Sequence, residues 1–398
     1  MTRHPRVRLQ KGMHKRVAGG HPWAYSNEIV MDAAAKALAP GSVVTLETAG
    51  GEALATAHFN PRTLIAARAL DRQADVPIDR AWFAQRLSRA LGLRARLFDR
   101  PFYRLAHAEG DGLPGLVIDR FSDVLVVQPN TAGMNAAVDD IVGALVQALD
   151  PRAVVVRGDS AARTLEGLDE TTAVVHGAVD APVTVDEGCC TFFADVQGGQ
   201  KTGWFFDQRD NRAFVAGLVR RWGAGVRLLD LYTHTGGFAV QEAIAGATQA
   251  VGVDGSAHAL DLAGRAAAAS GVAGHCAFEK ADVFDWLASG HRDRAFEVVV
   301  ADPPAFVKSR KDLAAGLRGY RKLARLAAAR VAPGGVLAVA SCSHNAGWPE
   351  FTAAVAAGLH DAGRSGRILR SAGAGPDHPV HPQLPESAYL KAMFIEID

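Results

Sequence analysis

Only four cysteines occur in the 398 residues, and Cys189, Cys190, Cys276 and Cys342 show neither C-x-x-C spacing nor histidines at metal-ligand intervals. That argues against a disulfide scaffold and against a bound metal, and it fits free thiols in a reduced, cytoplasmic setting. Long apolar runs are missing as well. The longest, near Ala295–Ala301, falls far short of the ~18 residues that span a bilayer. The stretch Met1-Thr2-Arg3-His4-Pro5-Arg6 is basic, but no apolar segment follows it, so neither a signal peptide nor a membrane partner is expected. Repeats and low-complexity tracts are absent. So is any excess of one charge: 43 Lys and Arg against 42 Asp and Glu leave a net +1, which by itself points to no polyanion. What is present is a 48% hydrophobic content over a length that suggests two or three packed domains.

The basic residues are unevenly spread. Arg3, Arg6, Arg8, Lys11, Lys15 and Arg16 face a single acid, Glu28, in residues 1–30. Residues 80–104 carry Arg80, Arg86, Arg89, Arg94, Arg96, Arg100 and Arg104 against Asp99. Residues 308–330 carry Lys308, Arg310, Lys311, Arg318, Arg321, Lys322, Arg325 and Arg330 against Asp312. Each stretch alone reads as a solvated helix face. Together they suggest one charged side in a neutral protein, with Arg94 and Arg96 expected to hold phosphates.

Residues 1–75 read as short strands, 43–47 and 54–58 among them, with Gly50-Gly51 as a hairpin turn. Residues 78–98 change to a helical period, with Trp82, Phe83, Leu87, Leu91 and Leu97 on one side and arginines between them. Strands at 115–119 and 124–128, a helix at 134–149 and a strand at 153–157 complete an α+β unit over 76–185. From about Arg227 strands and helices alternate: strands at 226–232, 250–253, 277–281, 297–301 and 335–340, helices at 237–246 and 256–269, and a basic helix before the fifth strand. Ser256 is a suitable N-cap. Such alternation gives a doubly wound, mostly parallel α/β sheet over 186–398, whose ligands bind at the carboxyl ends of the strands.

The strand ends carry the chemistry. The first continues through Asp230, Tyr232, Thr235, Gly236, Gly237 and Phe238, where the glycines allow a tight turn and a close ligand. Asp254 ends the second and can accept from ribose hydroxyls, and Asp282 ends the third near where an adenine would lie. The fingerprint G-x-G-x-x-G is absent, which disfavours a nicotinamide enzyme and suits a nucleoside without a pyrophosphate, such as S-adenosylmethionine. The fourth strand ends in Asp302-Pro303-Pro304-Ala305-Phe306, a stiff loop able to hold Asp302 against a planar base. The fifth ends in Ser341-Cys342-Ser343. A free cysteine is commonly a buried hydrophobe, but this position also suits a nucleophile.

These residues resemble those of class I methyltransferases acting on RNA. More closely, the chain resembles the bacterial family of large-subunit ribosomal RNA (cytosine-5) methyltransferases that join an N-terminal PUA domain to a catalytic domain. His21-Pro22-Trp23-Ala24-Tyr25-Ser26, Glu109-Gly110-Asp111-Gly112-Leu113-Pro114-Gly115, Lys201 through Arg212, Thr235-Gly236-Gly237-Phe238, Asp302-Pro303-Pro304, Gly319-Tyr320, Ser341-Cys342-Ser343 and Asp377-His378-Pro379 carry the match. It implies a PUA-like domain at 1–75, a central α+β domain at 76–185 and a Rossmann-like methyltransferase domain at 186–398. It also implies Gln208 and Arg209 at the cofactor site, Cys342 as nucleophile on cytosine C6 and Asp302 on the base. The family's frequent second cysteine is replaced here by Ala305, so Asp302 or a water is left to take the C5 proton. Two alternatives stand beside this: methylation of a base nitrogen with Cys342 structural, or an RNA-binding assembly factor without catalysis. An exposed edge in the N-terminal module would permit a homodimer.

Overall fold

The computed structural model describes residues 3–199, 202–289 and 295–398, so Met1, Thr2 and Lys201 of the sequence reading lie outside it. The chain forms two compact units. The first takes residues up to Val183 together with Asp195–Gly203 and Pro376–Pro385; the second takes Thr184–Ala194, Trp204–Gly375 and Glu386–Asp398.

The first unit contains two five-stranded sheets. In the N-terminal one the order is Arg6–Arg8, Ser42–Glu47, Ala53–Phe59, Ile65–Asp71, Trp23–Tyr25. Its central hairpin turns at Gly51, whose φ of +88° is one that glycine adopts without penalty. Val7, Leu9, Val44, Leu46 and Phe59 form its core. Both edge strands are only three residues long, which leaves little backbone for a second copy to pair with.

The second sheet runs Thr172–Gly177, Ala153–Arg157, Val124–Pro129, Leu116–Phe121, Phe102–His107. The helices Arg80–Leu97 and Val138–Leu149 pack their apolar stripes on it, burying Phe83, Leu87, Ile141 and Leu145. Asp79 starts the first helix by accepting from the Trp82 main-chain N–H at 3.0 Å. Two expectations fail on this helix. Leu97 is 44% exposed, whereas Arg94 is fully buried. Its guanidinium makes a bidentate pair with Asp111 at 2.5 and 2.8 Å and donates to the carbonyls of Arg104 and Asp377. Arg94 is a core residue and is not available to phosphate.

The second unit holds the hairpin Val183–Glu187/Cys190–Ala194, the helix Arg209–Trp222 and a seven-stranded sheet. The sheet order is Cys276–Lys280, Gln249–Asp254, Arg227–Leu231, Phe296–Ala301, Val331–Ser341, Lys391–Ile397, Gly366–Ala372. Only Lys391–Ile397 runs against the rest. The central strands are buried along nearly their whole length, as strands covered on both faces must be. Leu229, Val251, Val299 and Leu337 pack against Leu323 and Ala324 of the helix Leu313–Ala328 and Phe351 of the helix Trp348–Asp361. Arg227–Leu231 and Phe296–Ala301 lie side by side where the strand order reverses, the switch point at which such sheets bind ligands. Among the described residues no helix is long and apolar enough to cross a membrane.

Candidate active site at the strand ends

The site is built outward from Asp230. Its buried Oδ2 accepts from Thr233 Oγ1 at 2.5 Å and from the main-chain N–H of Ala239 at 3.1 Å. One carboxylate thus ties the end of its strand to the loop and to the first turn of the helix Gly237–Ile244. The loop is wound tightly: Tyr232, His234 and Gly236 have φ of +64°, +51° and +82°. For the first two, side chains in the left-handed region store strain of a kind that clusters at functional sites. Thr235 and Phe238 are buried, and Gly237 packs against Trp204 and Arg212, where a Cβ would stand 3.3 Å from the Arg212 side chain.

Asp254 accepts from the main-chain N–H groups of His234, at 3.0 Å, and Ser256, at 2.8 Å. Ser256 in turn caps the helix Ala257–Ala269. Each Asp254 oxygen retains a lone pair for a hydroxyl donor. Asp282 caps the helix Val283–Ala288, its Oδ1 accepting from Phe284 and Asp285 N–H groups at 2.8 and 3.1 Å. Its Oδ2 accepts no hydrogen bond from the described residues. Asp302 receives the side-chain amide of Gln208 at 2.9 Å.

The acids repel one another. Burial raises the Asp230 pKa to about 7, opposed by the bonds from Thr233 and Ala239, and the charges of Asp302 and Asp254 push it further. This field attracts a cation. S-Adenosylmethionine carries a sulfonium and an ammonium against one carboxylate, and the donor set fits it.

Arg209 lies over the Phe206 ring, 5.4 Å from its centroid, and pairs with Glu187 at 3.3 Å. Glu187 also binds Arg212 at 2.6 Å and the Trp204 indole N–H at 3.3 Å, fastening the Trp204–Arg212 segment to the hairpin. The sequence offered no signal for Glu187, because an acid beside Gly188 at a hairpin turn looks like a solvated turn residue.

Cys342 follows the strand Val331–Ser341, with its sulfur 4.0 Å from the Pro303 carbonyl oxygen. The two hydroxyls flanking it are structural. Ser341 Oγ donates to Tyr320 OH at 2.8 Å, Tyr320 OH meets Ser343 Oγ at 2.8 Å, and Ser343 Oγ accepts the Val307 N–H at 3.1 Å. This chain clamps the Asp302–Val307 loop to the cysteine strand, so Gly319-Tyr320 and Ser341-Cys342-Ser343 act as one assembly. Two other thiols are poor nucleophiles: burial pushes Cys190 up to about 12 and the half-buried Cys276 up to about 11. Lys308, Arg310, Lys311, Arg318 and Lys322 stay exposed beyond the loop, while Arg330 is buried and donates to Leu287 O at 2.6 Å.

Residues 159–395 match the family described as S-adenosylmethionine-dependent methyltransferase, and residues 7–72 match a PUA-like domain. The chain is 36% identical over 397 residues to a protein of Aeromonas hydrophila named Ribosomal RNA large subunit methyltransferase I, covering 98% of each. It is 34% identical to a Ribosomal RNA large subunit methyltransferase of Deinococcus radiodurans, covering 99% of this chain and 97% of that one. A solved structure from Streptococcus mutans, described as a SAM-dependent methyltransferase, shares the fold at TM-score 0.82 and 20% identity, over 98% of this chain and all of that one. A methyltransferase structure complexed with SAH matches at the same TM-score of 0.82 and 20% identity, over 99% of this chain and 100% of that one.

Proposed function

The chain belongs to the S-adenosylmethionine-dependent methyltransferase family, and from that premise we propose that it methylates C5 of a cytosine in large-subunit ribosomal RNA, with Cys342 as attacking sulfur. The RNA substrate is supported by relatives that match nearly the whole chain and are named for large-subunit ribosomal RNA, and by the PUA-like match. The carbon target rests on one observation: a cysteine sulfur at the strand end, 4.0 Å from the carbonyl of the residue that follows Asp302.

Bound S-adenosylmethionine supplies an electrophilic methyl group. Tyr232, Thr235, Gly236, Gly237 and Phe238 would enclose it beside Asp230, Asp254 would take the ribose hydroxyls and Asp282 would lie near the adenine. Gln208 would act through Asp302, and Arg209 would close the wall. C5 of cytosine is not nucleophilic until a thiolate adds to C6. The sulfur pair of Cys342 would form the S–C6 bond, the C5=C6 electrons would move toward C5, and C5 could then take the methyl carbon, whose bonding pair stays on the donor sulfur and leaves S-adenosylhomocysteine. Asp302 bonds N3 and the exocyclic amine and stabilises the adduct. The C5 proton leaves to Asp302 or to water, its bonding pair restores C5=C6, and the S–C6 bond breaks. The base must be out of its stack for the sulfur to reach C6. Lys308, Arg310, Lys311 and Arg318 would hold phosphates and give salt-dependent affinity.

The test is a covalent trap with RNA carrying 5-fluorocytidine, S-adenosylmethionine and either wild-type protein or Cys342→Ala. Fluorine cannot leave C5 as a proton, so the wild type should stall as a protein–RNA adduct on a denaturing gel and the variant should not. No adduct, with methyl still transferred to ordinary RNA, would move the target to a base nitrogen and return Cys342 to a structural role.

A further inference from the structure

A sulfur that attacks carbon must be ionised, and beside the Pro303 carbonyl oxygen its ionised form needs a compensating charge. Lys391 is in place to supply it. It opens the antiparallel strand Lys391–Ile397, whose register sets it opposite Ser341, the residue before Cys342. Its side chain is buried, at 3% exposure for the residue, and donates to Ser343 O at 3.0 Å and to Tyr389 O at 2.7 Å. The ammonium is therefore anchored to the carbonyls of residues one and two positions outside the Cys342 turn and the strand. A lysine has three donors, and two are satisfied. Among the described residues no carboxylate lies within ion-pair distance of it.

A buried ammonium with only neutral acceptors is an unfavourable choice for structure alone, where a hydrophobic side chain of like volume usually serves as well or better. Burial pushes the Lys391 pKa down, and a charge on the Cys342 sulfur acts in the opposite direction. The bond to Ser343 O and the register opposite Ser341 place the ammonium on the residues that flank Cys342.

We propose that Lys391 is a positioning residue that holds Cys342 as a thiolate for attack on C6 and stabilises the same sulfur when it departs. The inference rests on the reading of Cys342 as nucleophile. Tyr320, from the helix Leu313–Ala328, is kept neutral by burial, and its hydroxyl is held between Ser341 and Ser343. The Pro303 carbonyl oxygen, 4.0 Å from the sulfur, disfavours a negative charge there. His344 and Tyr389 stack with ring centroids 5.2 Å apart, and the Tyr389 hydroxyl donates to Asp207 at 2.5 Å. In this role Lys391 acts by its charge and transfers no proton. The thiol proton goes to solvent before substrate binds, and the electron pair that leaves C6 returns to sulfur in the field of the ammonium.

The measurement is the pH profile of iodoacetamide alkylation, read at the Cys342 peptide by mass spectrometry, in the full chain as wild type, Lys391→Arg, Lys391→Met and Lys391→Gln. Binding of S-adenosylmethionine by calorimetry selects the variants that are folded. The midpoint should rise by about one pH unit or more in whichever neutral variant folds, an alkylation rate about tenfold lower at pH 7, and Lys391→Arg should restore most of it. The same midpoint in the wild type and in a folded neutral variant would overturn the proposal. The 5-fluorocytidine trap separates the two readings. A Lys391-dependent midpoint without any adduct in the wild type keeps the pair and removes the cytosine chemistry. An adduct with an unmoved midpoint keeps the nucleophile and removes Lys391.

Discussion

Gln208 donates its side-chain amide to Asp302 across 2.9 Å, and its own carbonyl oxygen is occupied by the Asn211 amide at 2.6 Å. The second bond fixes which end of the Gln208 amide faces Asp302, so the acid is oriented by a partner that is itself oriented. Gln208→Glu would set one carboxylate against another. Single-turnover methyl transfer should fall on the order of 100-fold, the scale expected when a reacting group is misplaced by about an ångström. An unchanged rate would detach this bond from the chemistry.

Arg94 and Arg96 are two residues apart and should behave oppositely. Removing Arg94 by substitution with Met leaves Asp111, whose side chain is 5% exposed, without its partner. Breaking one side of a buried pair costs roughly 3–5 kcal/mol, so the urea midpoint of Arg94→Met should fall sharply. Arg96 is exposed and, among the described residues, donates only to the Gly92 carbonyl, at 3.2 Å. Arg96→Ala should leave the urea curve nearly unmoved. Its RNA affinity at low salt should drop if this face carries phosphates.

Glu242 lies fully buried on the helix Gly237–Ile244, and neither of its oxygens has a hydrogen-bond partner among the described residues. Burial holds its pKa well above the ordinary value of 4.5, with the Asp230 charge adding to the shift and Arg220 and Arg212 opposing it. The folded protein therefore keeps a proton that the unfolded chain releases above pH 4.5, and stability falls as pH rises from there. Asp230 adds the same sign between 3.8 and about 7. Glu242→Gln should match the wild type near pH 4 and exceed it at pH 8 in urea titrations. A variant that loses stability at pH 8 would mean that the carboxylate is needed ionised.

Gly236 needs its φ of +82° to turn the chain into the helix, and a Cβ there would meet Ala263 Cβ at 3.1 Å and Val240 Cγ2 at 3.2 Å. A non-glycine residue in that conformation costs about 1–2 kcal/mol. Gly236→Ala should weaken S-adenosylmethionine binding about tenfold by calorimetry while methyl transfer at saturating donor stays close to wild type.

Most of the parallel sheet was legible because buried strands announce themselves as Val- and Leu-rich runs, and an Asp stands at or next to the end of four of the strands, including the less buried Cys276–Lys280. Asp230, Asp254, Asp282 and Asp302 were found that way. Whether an acid at such a place binds a ligand or its own backbone is not written in the run, and Asp282 turned out to cap a helix. The strand Lys391–Ile397 was not read, since its partners Val331–Ser341 and Gly366–Ala372 are contacts that no local period encodes. Lys391 was missed with it. Arg94 was misplaced for a related reason: its spacing is that of a helix surface, and only the distant Asp111 and Asp377 make that surface an interior.

The path of the chain between the two units bears on synthesis. Pro376–Pro385 belongs to the first unit, where Asp377 bonds the Arg104 N–H at 3.0 Å and its carbonyl accepts from Arg94 at 2.8 Å. A ribosome has therefore produced nearly all of the second unit before the first can be finished. The strand Lys391–Ile397, later still, enters between two strands already made. A nascent chain carries a gap in its sheet and an unfilled seat beside Arg94 until those residues emerge. The first unit can close only shortly ahead of the second, and a chain stalled short of Pro376 leaves both exposed to chaperones and proteases.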